Sequence, residues 1–318
     1  MLVDMRYEEL LDYKPDQYKE KDFDDFWKET INSANSEPLN EKIERIDYIV
    51  NEIDAFKVYF DGFSGGRICG YYLLPKIKPP FPVILYFHGY GDNKQKINYY
   101  LKWILMGYAV FAIDIRGQNG ESSDGRTYPP PSAIGLMTKG IFSKYDYYYR
   151  FVYMDCIKAI NFLEGRDEID IKRLCLTGLS QGGGLSLATA ALDSRPKLVI
   201  AEVPYLCHFK RAVEWAEEFS NITYFEFQSI IKKFPEREKE MFETLSYFDN
   251  LNLADRIKSH TILSCAMKDM CTPPSTIFAV YNHIKSQKEM IIMPYYGHNW
   301  ETFINFEEKR LENIKKHL

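Results

Sequence analysis

Residues 176–192 read LTGLSQGGGLSLATAAL. Apolar residues lead into a Gly-x-Ser-x-Gly, two more glycines follow, and then a run of helix formers. Three meanings compete: a nucleophilic Ser180 on a sharp strand-to-helix turn, a glycine cradle for a phosphate, or a helix packed closely on a sheet. Chance alone puts this motif into a chain of this length roughly a tenth of the time, so the flanks have to decide. A nucleophile elbow needs a strand before the serine, a helix after it, and small neighbours where the turn is tight. RLCLTG precedes Ser180 and LSLATAAL follows it, so the context fits. The helix start also aims amides and the positive end of its dipole at the turn. The phosphate reading fails, because no Gly-Lys-Ser/Thr is present and Gly182, Gly183 and Gly184 do not make a G-x-G-x-x-G.

Upstream of this motif, PVILYFHG (82–89) is almost wholly apolar, as befits a strand buried on both faces. Strand-like and helix-like segments alternate from there. YLKWILMGY leads to AVFAIDIRG, YRFVYMDCIKAINFLE to KRLCLTG, and the helix from 181 is followed by KLVIAEV and HTILSCAM. A helix near 275–285, the strand KEMIIMP and a final helix over about 300–317 complete the series. The alternation predicts an α/β fold with a mostly parallel central sheet and helices on both faces. Before it, RIDYIV, AFKVYFDGF and RICGYYLLP read as extended segments with a hairpin turn at 64–66. Residues 7–34 suggest short helices on the outside, within an N-terminal extension of about 1–40. Residues 115–149 form an excursion too long for a plain connection, and 204–250 read as a helical insertion that roofs a site. The whole of 1–318 is expected to be one decorated domain.

A serine nucleophile needs a base, and the base needs a group that orients it. In folds with such an elbow the acid and then the histidine follow the serine, on loops after later strands. Asp269 follows TILSCAMK and His298 follows KEMIIMPYYG, each just past a strand end. Competitors are placed worse. Asp249 and Asp255 lie in a helical stretch where capping and solvation explain them. His260 begins a strand, His283 lies on a helix, His317 sits at a terminus expected to fray, and His208 lies in the insertion. Two amides are also required at the oxyanion. Gln181, next after the nucleophile, supplies one, and the loop YFHGYGDN supplies the other through Tyr90. His88 reads as a packed structural histidine.

The bulk composition sets outer limits. The formal charge is 40 − 45 = −5, so no basic field draws the chain to nucleic acid or anionic lipid. Six cysteines without C-x-x-C spacing read as buried free thiols in a reducing compartment. The N-terminus lacks a signal-peptide pattern, and no run is apolar enough to span a membrane. A cytoplasmic location is expected, with no membrane association. Aromatic residues make up 15% of the chain, which points first to a well-filled core and subunit contacts and second to an aromatic-walled site.

Taken together, RGQ (116–118), GLSQGGG (178–184), the aspartate of MKDMCTPPSTIFAVYNH and GH (297–298) resemble carbohydrate esterase family seven, the acetyl xylan esterases and cephalosporin C deacetylases. The likeness runs nearly end to end. It implies an α/β-hydrolase fold, a triad of Ser180, Asp269 and His298, and an oxyanion hole from the amides of Tyr90 and Gln181. It further implies removal of O-acetyl groups from short xylo-oligosaccharides and cephalosporin C, neither cofactor nor metal, and a hexamer with active sites facing an enclosed chamber. Arg116 and Gln118 are structural in that resemblance, and Tyr90 and Tyr205 are expected to wall a small acyl pocket. One position departs: the family's usual His-Glu is His298-Asn299 here, which bears on hydrogen bonding beside the base. A peptidase-like hydrolase and a catalytically silent binder remain the other readings.

Overall fold

A computed structural model describes residues 3–219 and 222–318. In chain order, α1 (Tyr7–Asp12) and α2 (Phe23–Ser36) precede β1 (Lys42–Ile46), β2 (Ile53–Asp61), β3 (Arg67–Pro75) and β4 (Phe81–Phe87). Then come α3 (Leu101–Leu105), β5 (Ala109–Ile113), α4 (Tyr148–Glu164), β6 (Ile169–Leu179), α5 (Gln181–Leu192) and β7 (Leu198–Glu202). The 204–250 stretch holds α6 (Phe209–Glu218), α7 (Phe225–Lys233) and α8 (Glu238–Phe248), with α9 (Asn250–Leu253) at its end. The chain closes with β8 (His260–Ala266), α10 (Pro274–His283), β9 (Lys288–Met293) and α11 (Trp300–His317). None of the described helices is long and apolar enough to cross a membrane.

The nine strands among the described residues join one sheet in the order β1-β2-β3-β5-β4-β6-β7-β8-β9. The first three pair antiparallel, and every pairing from β5 to β9 is parallel. Alternation within the buried strands sends side chains to two cores. Val83, Leu85 and Phe87 face the layer with α4, α5 and α10, whereas Ile84 and Tyr86 face α3 and α11. That is the period-2 geometry of a strand covered by helices on both sides. The connections from β4 onward therefore bring the loops after β4, β6, β8 and β9 to the same, carboxyl edge of the sheet.

Two segments differ from their sequence reading. The extended stretch placed at 45–50 begins earlier, at Lys42, and ends at Ile46, because pairing with β2 from Lys42–Tyr59 to Ile46–Ala55 sets its limits. The N-terminal helices are more deeply embedded than an outer decoration. Trp27 is fully buried, stacks on Tyr153 at 5.9 Å and donates from Nε1 to the Tyr247 carbonyl at 3.1 Å. Phe26 and Phe248 pack edge-on against it and Tyr247 edge-on against Phe26, so much of the aromatic content fills core.

The 115–149 excursion is tied down at its root. Arg116 donates from Nε and Nη2 to both oxygens of Asp155 on α4, each at 2.6 Å, and from Nη2 to the Phe63 carbonyl at 2.9 Å. Asp155 also accepts from Phe63 N–H at 2.8 Å. One bidentate pair thus joins the excursion, α4 and the β2–β3 turn.

Candidate active site

Ser180 stands between β6 and α5 with φ +55° and ψ −114°, a conformation that non-glycine residues rarely hold. Its surroundings dictate that conformation. Ser180 N–H donates to the Glu202 carbonyl at 2.9 Å, and its own carbonyl accepts from Tyr205 N–H at 2.9 Å and Gly184 N–H at 3.0 Å. The glycines let the backbones close up. A Cβ on Gly182 would lie 1.9 Å from the Phe87 carbonyl oxygen, and one on Gly184 would lie 2.1 Å from that of Tyr205. Close helix packing and a strained serine are thus both true of this stretch.

Asp269, past the end of β8, is fully buried and surrounded by donors. Oδ1 accepts from the amides of Cys271 and Thr272 at 2.7 and 2.8 Å. Oδ2 accepts from the Thr272 hydroxyl and from His298 Nδ1, both at 2.8 Å. The Nδ1 proton is therefore directed to the carboxylate, which leaves Nε2 as the acceptor of the neutral ring. Phe303 packs edge-on against the imidazole at 5.7 Å. Burial by itself favours the uncharged ring, but Asp269 and Cys271 beside it outweigh burial and raise the His298 pKa above the ordinary imidazole value.

Asn299 has a local job. It is the N-cap of α11, and its Oδ1 accepts from Thr302 N–H at 3.2 Å. Asn299→Ala is expected to cost about 1 kcal/mol of stability, the usual worth of such a cap. Denaturant unfolding of the two proteins measures it.

The loop after β4 lies against the elbow. His88 is a buried structural histidine, as its sequence setting suggested: Nε2 accepts from Ile115 N–H at 2.9 Å and Nδ1 faces the Gly89 carbonyl at 2.7 Å. The amides of Tyr90 and Gln181 have no acceptor among the described residues, although Gln181 is fully buried. A buried free N–H at the start of a helix beside a strained serine is what an oxyanion site requires. Gln118 holds the two pieces together. Its Oε1 accepts from Gly91 N–H at 2.8 Å, and its Nε2 donates to Gln181 Oε1 at 2.9 Å. Gln118→Leu is expected to lower kcat by roughly 10- to 100-fold with little change in KM, since misplacing donors by a fraction of an ångström acts on the transition state. Steady-state kinetics on a carboxylic ester separates the two constants.

Sequence reasoning did not single out Glu226. It lies on α7, nearly buried, accepts from the Tyr90 hydroxyl at 2.7 Å and from Met137 N–H at 2.8 Å, while Leu136 N–H donates to that hydroxyl at 2.7 Å. The insertion, the excursion and the loop after β4 meet at this carboxylate. A lone glutamate in an amphipathic helix carries no signal of such a role. Tyr205, on the other side, is buried and stacks on Tyr224 at 5.3 Å.

The weaker candidates lie elsewhere. Asp249 caps, as expected, but it is buried rather than solvated: it accepts from the amides of His208, Phe209 and Leu251 and from the Tyr18 hydroxyl. Asp255 pairs with Lys19 at 2.7 Å. His283 Nδ1 faces the Ala279 carbonyl of its own helix at 2.8 Å. The stretch at the carboxyl edge therefore combines a hydroxyl on an elbow, an imidazole whose Nδ1 is committed to a buried carboxylate, and two free amides. Such a set is able to attack a carbonyl carbon and to stabilise the resulting oxyanion.

The acetyl xylan esterase (AXE1) family model matches residues 1–318. The acetyl esterase Axe7A of Xylanibacter ruminicola is 29% identical over 300 residues, which is 91% of this chain. The aligned chain spans 65% of that relative's length. The solved acetyl xylan esterase from Paenibacillus sp. R4 is 41% identical, with a TM-score of 0.94 over 99% of this chain and 100% of that one. Acetyl xylan esterase 1 from Thermoanaerobacterium sp. JW/SL YS485 is 32% identical, with a TM-score of 0.91 over 98% and 99%. The architecture is the α/β-hydrolase fold.

Proposed function

We propose that this chain, which belongs to the acetyl xylan esterase family, hydrolyses O-acetyl esters of small xylo-oligosaccharides through an acetyl-enzyme on Ser180. The observation that carries the proposal is the His298 Nδ1 contact with buried Asp269 at 2.8 Å, at the same sheet edge as the strained Ser180. In the first step Nε2 of His298 takes the Ser180 proton while Oγ bonds to the acetyl carbon. The carbonyl electrons move to the oxygen, which the Tyr90 and Gln181 amides hold. Collapse breaks the bond to the sugar oxygen, and His298 returns the proton to it. Water then repeats the sequence on the acetyl-enzyme and releases acetate. Asp269 fixes the tautomer and stabilises the imidazolium throughout.

Selectivity for acetyl rests on the walls. Tyr90 is held at its hydroxyl by Glu226, and Tyr205 is held by its stack on Tyr224, so neither ring gives way to a larger acyl group. The proposal extends to the acetyl ester of cephalosporin C, to a homohexamer and to a cytoplasmic location. Exposed Ile49, Ile77 and Leu105 support association, and six free cysteines suit a reducing compartment. A panel of acetylated xylose, acetylated xylo-oligosaccharides, polymeric acetylated xylan and cephalosporin C tests the substrate class. Preference for the short acetylated sugars supports it, and preference for the polymer or for longer acyl chains rejects it. Light scattering in solution tests the hexamer.

A pH dependence follows from the site. Only neutral His298 is a base, and its partners favour the charged form. Activity is therefore expected to rise with pH through an acid limb above the ordinary imidazole value of about 6.5. Cys271→Ala removes one of the groups that favour the imidazolium, so the limb is expected to move to lower pH. A kcat/KM profile of both proteins reads the shift.

A further inference from the structure

At the opposite edge of the sheet, three side chains far apart in sequence converge. His260 opens β8, Glu289 lies near the start of β9, and His317 ends α11. His260 Nε2 lies 3.3 Å from Glu289 Oε1, and His317 Nε2 lies 3.7 Å from the same oxygen. The two rings meet edge to face with centroids 4.2 Å apart. All three potential donor atoms lie within 4.8 Å of one another. Both Nε2 atoms are buried and, apart from the Glu289 carboxylate, lack a hydrogen-bond partner among the described residues. Buried ring nitrogens without partners are uncommon, because desolvation without a hydrogen bond costs free energy.

We propose that His260, Glu289 and His317 form a binding site for a divalent transition-metal ion of the zinc type. Two imidazole nitrogens and one carboxylate oxygen suit such an ion better than magnesium or calcium, which take oxygen ligands. Tetrahedral coordination at about 2.0–2.1 Å separates ligand atoms by roughly 3.3–3.4 Å. The observed 3.3 and 3.7 Å to Glu289 lie near that spacing, and the two ring nitrogens, at most 4.8 Å apart, reach it by a movement of His317, the last helical residue. Water completes the coordination through the exposed side of Glu289.

A second cluster shows by contrast what an occupied space looks like. Cys69, Asp114 and Glu121 also group closely, but Lys94 Nζ fills the centre, 2.6 Å from Asp114 and 2.9 Å from Glu121. At the histidine cluster the nearest ammonium measured to Glu289 is that of Lys316, 4.0 Å from Oε1 on a largely exposed side chain that is free to swing away. The ion is structural in this account. The site lies at the amino ends of the strands, and the 18 residues of α11 put it about 27 Å along the helix from the end that follows His298. It pins the last turn of α11 to the edge of the sheet. No metal was expected from the sequence, and His317 was expected to fray.

The test is zinc titration of the chelator-treated full chain by calorimetry, with cobalt absorption as a second readout. One ion per chain is expected. His317→Ala and Glu289→Gln should each weaken binding by at least about tenfold, and zinc should raise the melting temperature of the unsubstituted protein but not of these variants. Ester hydrolysis should be the same in all three. An absence of binding at millimolar zinc overturns the proposal, leaving a histidine–carboxylate ion pair. Binding that is equal in the parent and both variants overturns it too, since the ion then sits elsewhere.

Discussion

Ser180→Ala is expected to lower the rate of acetate release by on the order of 10^4- to 10^6-fold while the protein stays folded. The size follows from the position of the side chain. In the proposed mechanism Oγ is the atom that bonds to the acetyl carbon, so no neighbour replaces it. What survives is the effect of the two amides and of binding. The fold is expected to tolerate the change, because the strained backbone is held by main-chain bonds to Glu202, Tyr205 and Gly184 rather than by the hydroxyl. Acetate production by the two proteins, with circular dichroism to verify folding, measures the effect. Equal rates would mean that another group carries the chemistry.

The second large effect is on stability. Arg116→Met is expected to destabilise the protein by about 3–5 kcal/mol, because it leaves the Asp155 carboxylate buried without its bidentate partner. Removing both charges, as in Arg116→Met with Asp155→Leu, is expected to restore much of the loss, since desolvation of the pair then no longer opposes folding. Urea unfolding of the four proteins in this cycle gives the coupling. Activity should fall with stability in Arg116→Met. Gln118, which clasps the loop after β4, is only two residues away, and the Arg116 carbonyl accepts from the Tyr148 hydroxyl at 2.5 Å.

Much of this architecture was legible from local pattern. PVILYFHG announces a doubly covered strand because burial on both faces removes polar residues, AVFAIDI and KLVIAEV read as strands from their alternation with helices, and the elbow reads from its glycines because only small residues fit there. Asp269 and His298 were legible from order and position past strand ends. Contacts made across the fold were not. Gln118 was marked as structural only through the RGQ resemblance, and Glu226 acquires meaning only when loops from three parts of the chain meet, because a single polar residue gives no periodic signal. Asp249 reads as a solvated cap until tertiary packing buries it. His260, Glu289 and His317 are each unremarkable in sequence, yet the parallel register of β8 and β9 and the length of α11 set them side by side. Strand β1 was misplaced at its ends for a related reason: its limits come from its partner β2, not from its own composition.

The most direct test of the central claim is covalent labelling with a fluorophosphonate, followed by peptide mass mapping. A serine in the proposed site should take up one equivalent, on the peptide containing Ser180, and lose hydrolytic activity in proportion. His298→Ala should slow that labelling strongly. An active, folded protein that remains unlabelled, or that carries the label on a different residue, would contradict the assignment of Ser180 as the nucleophile.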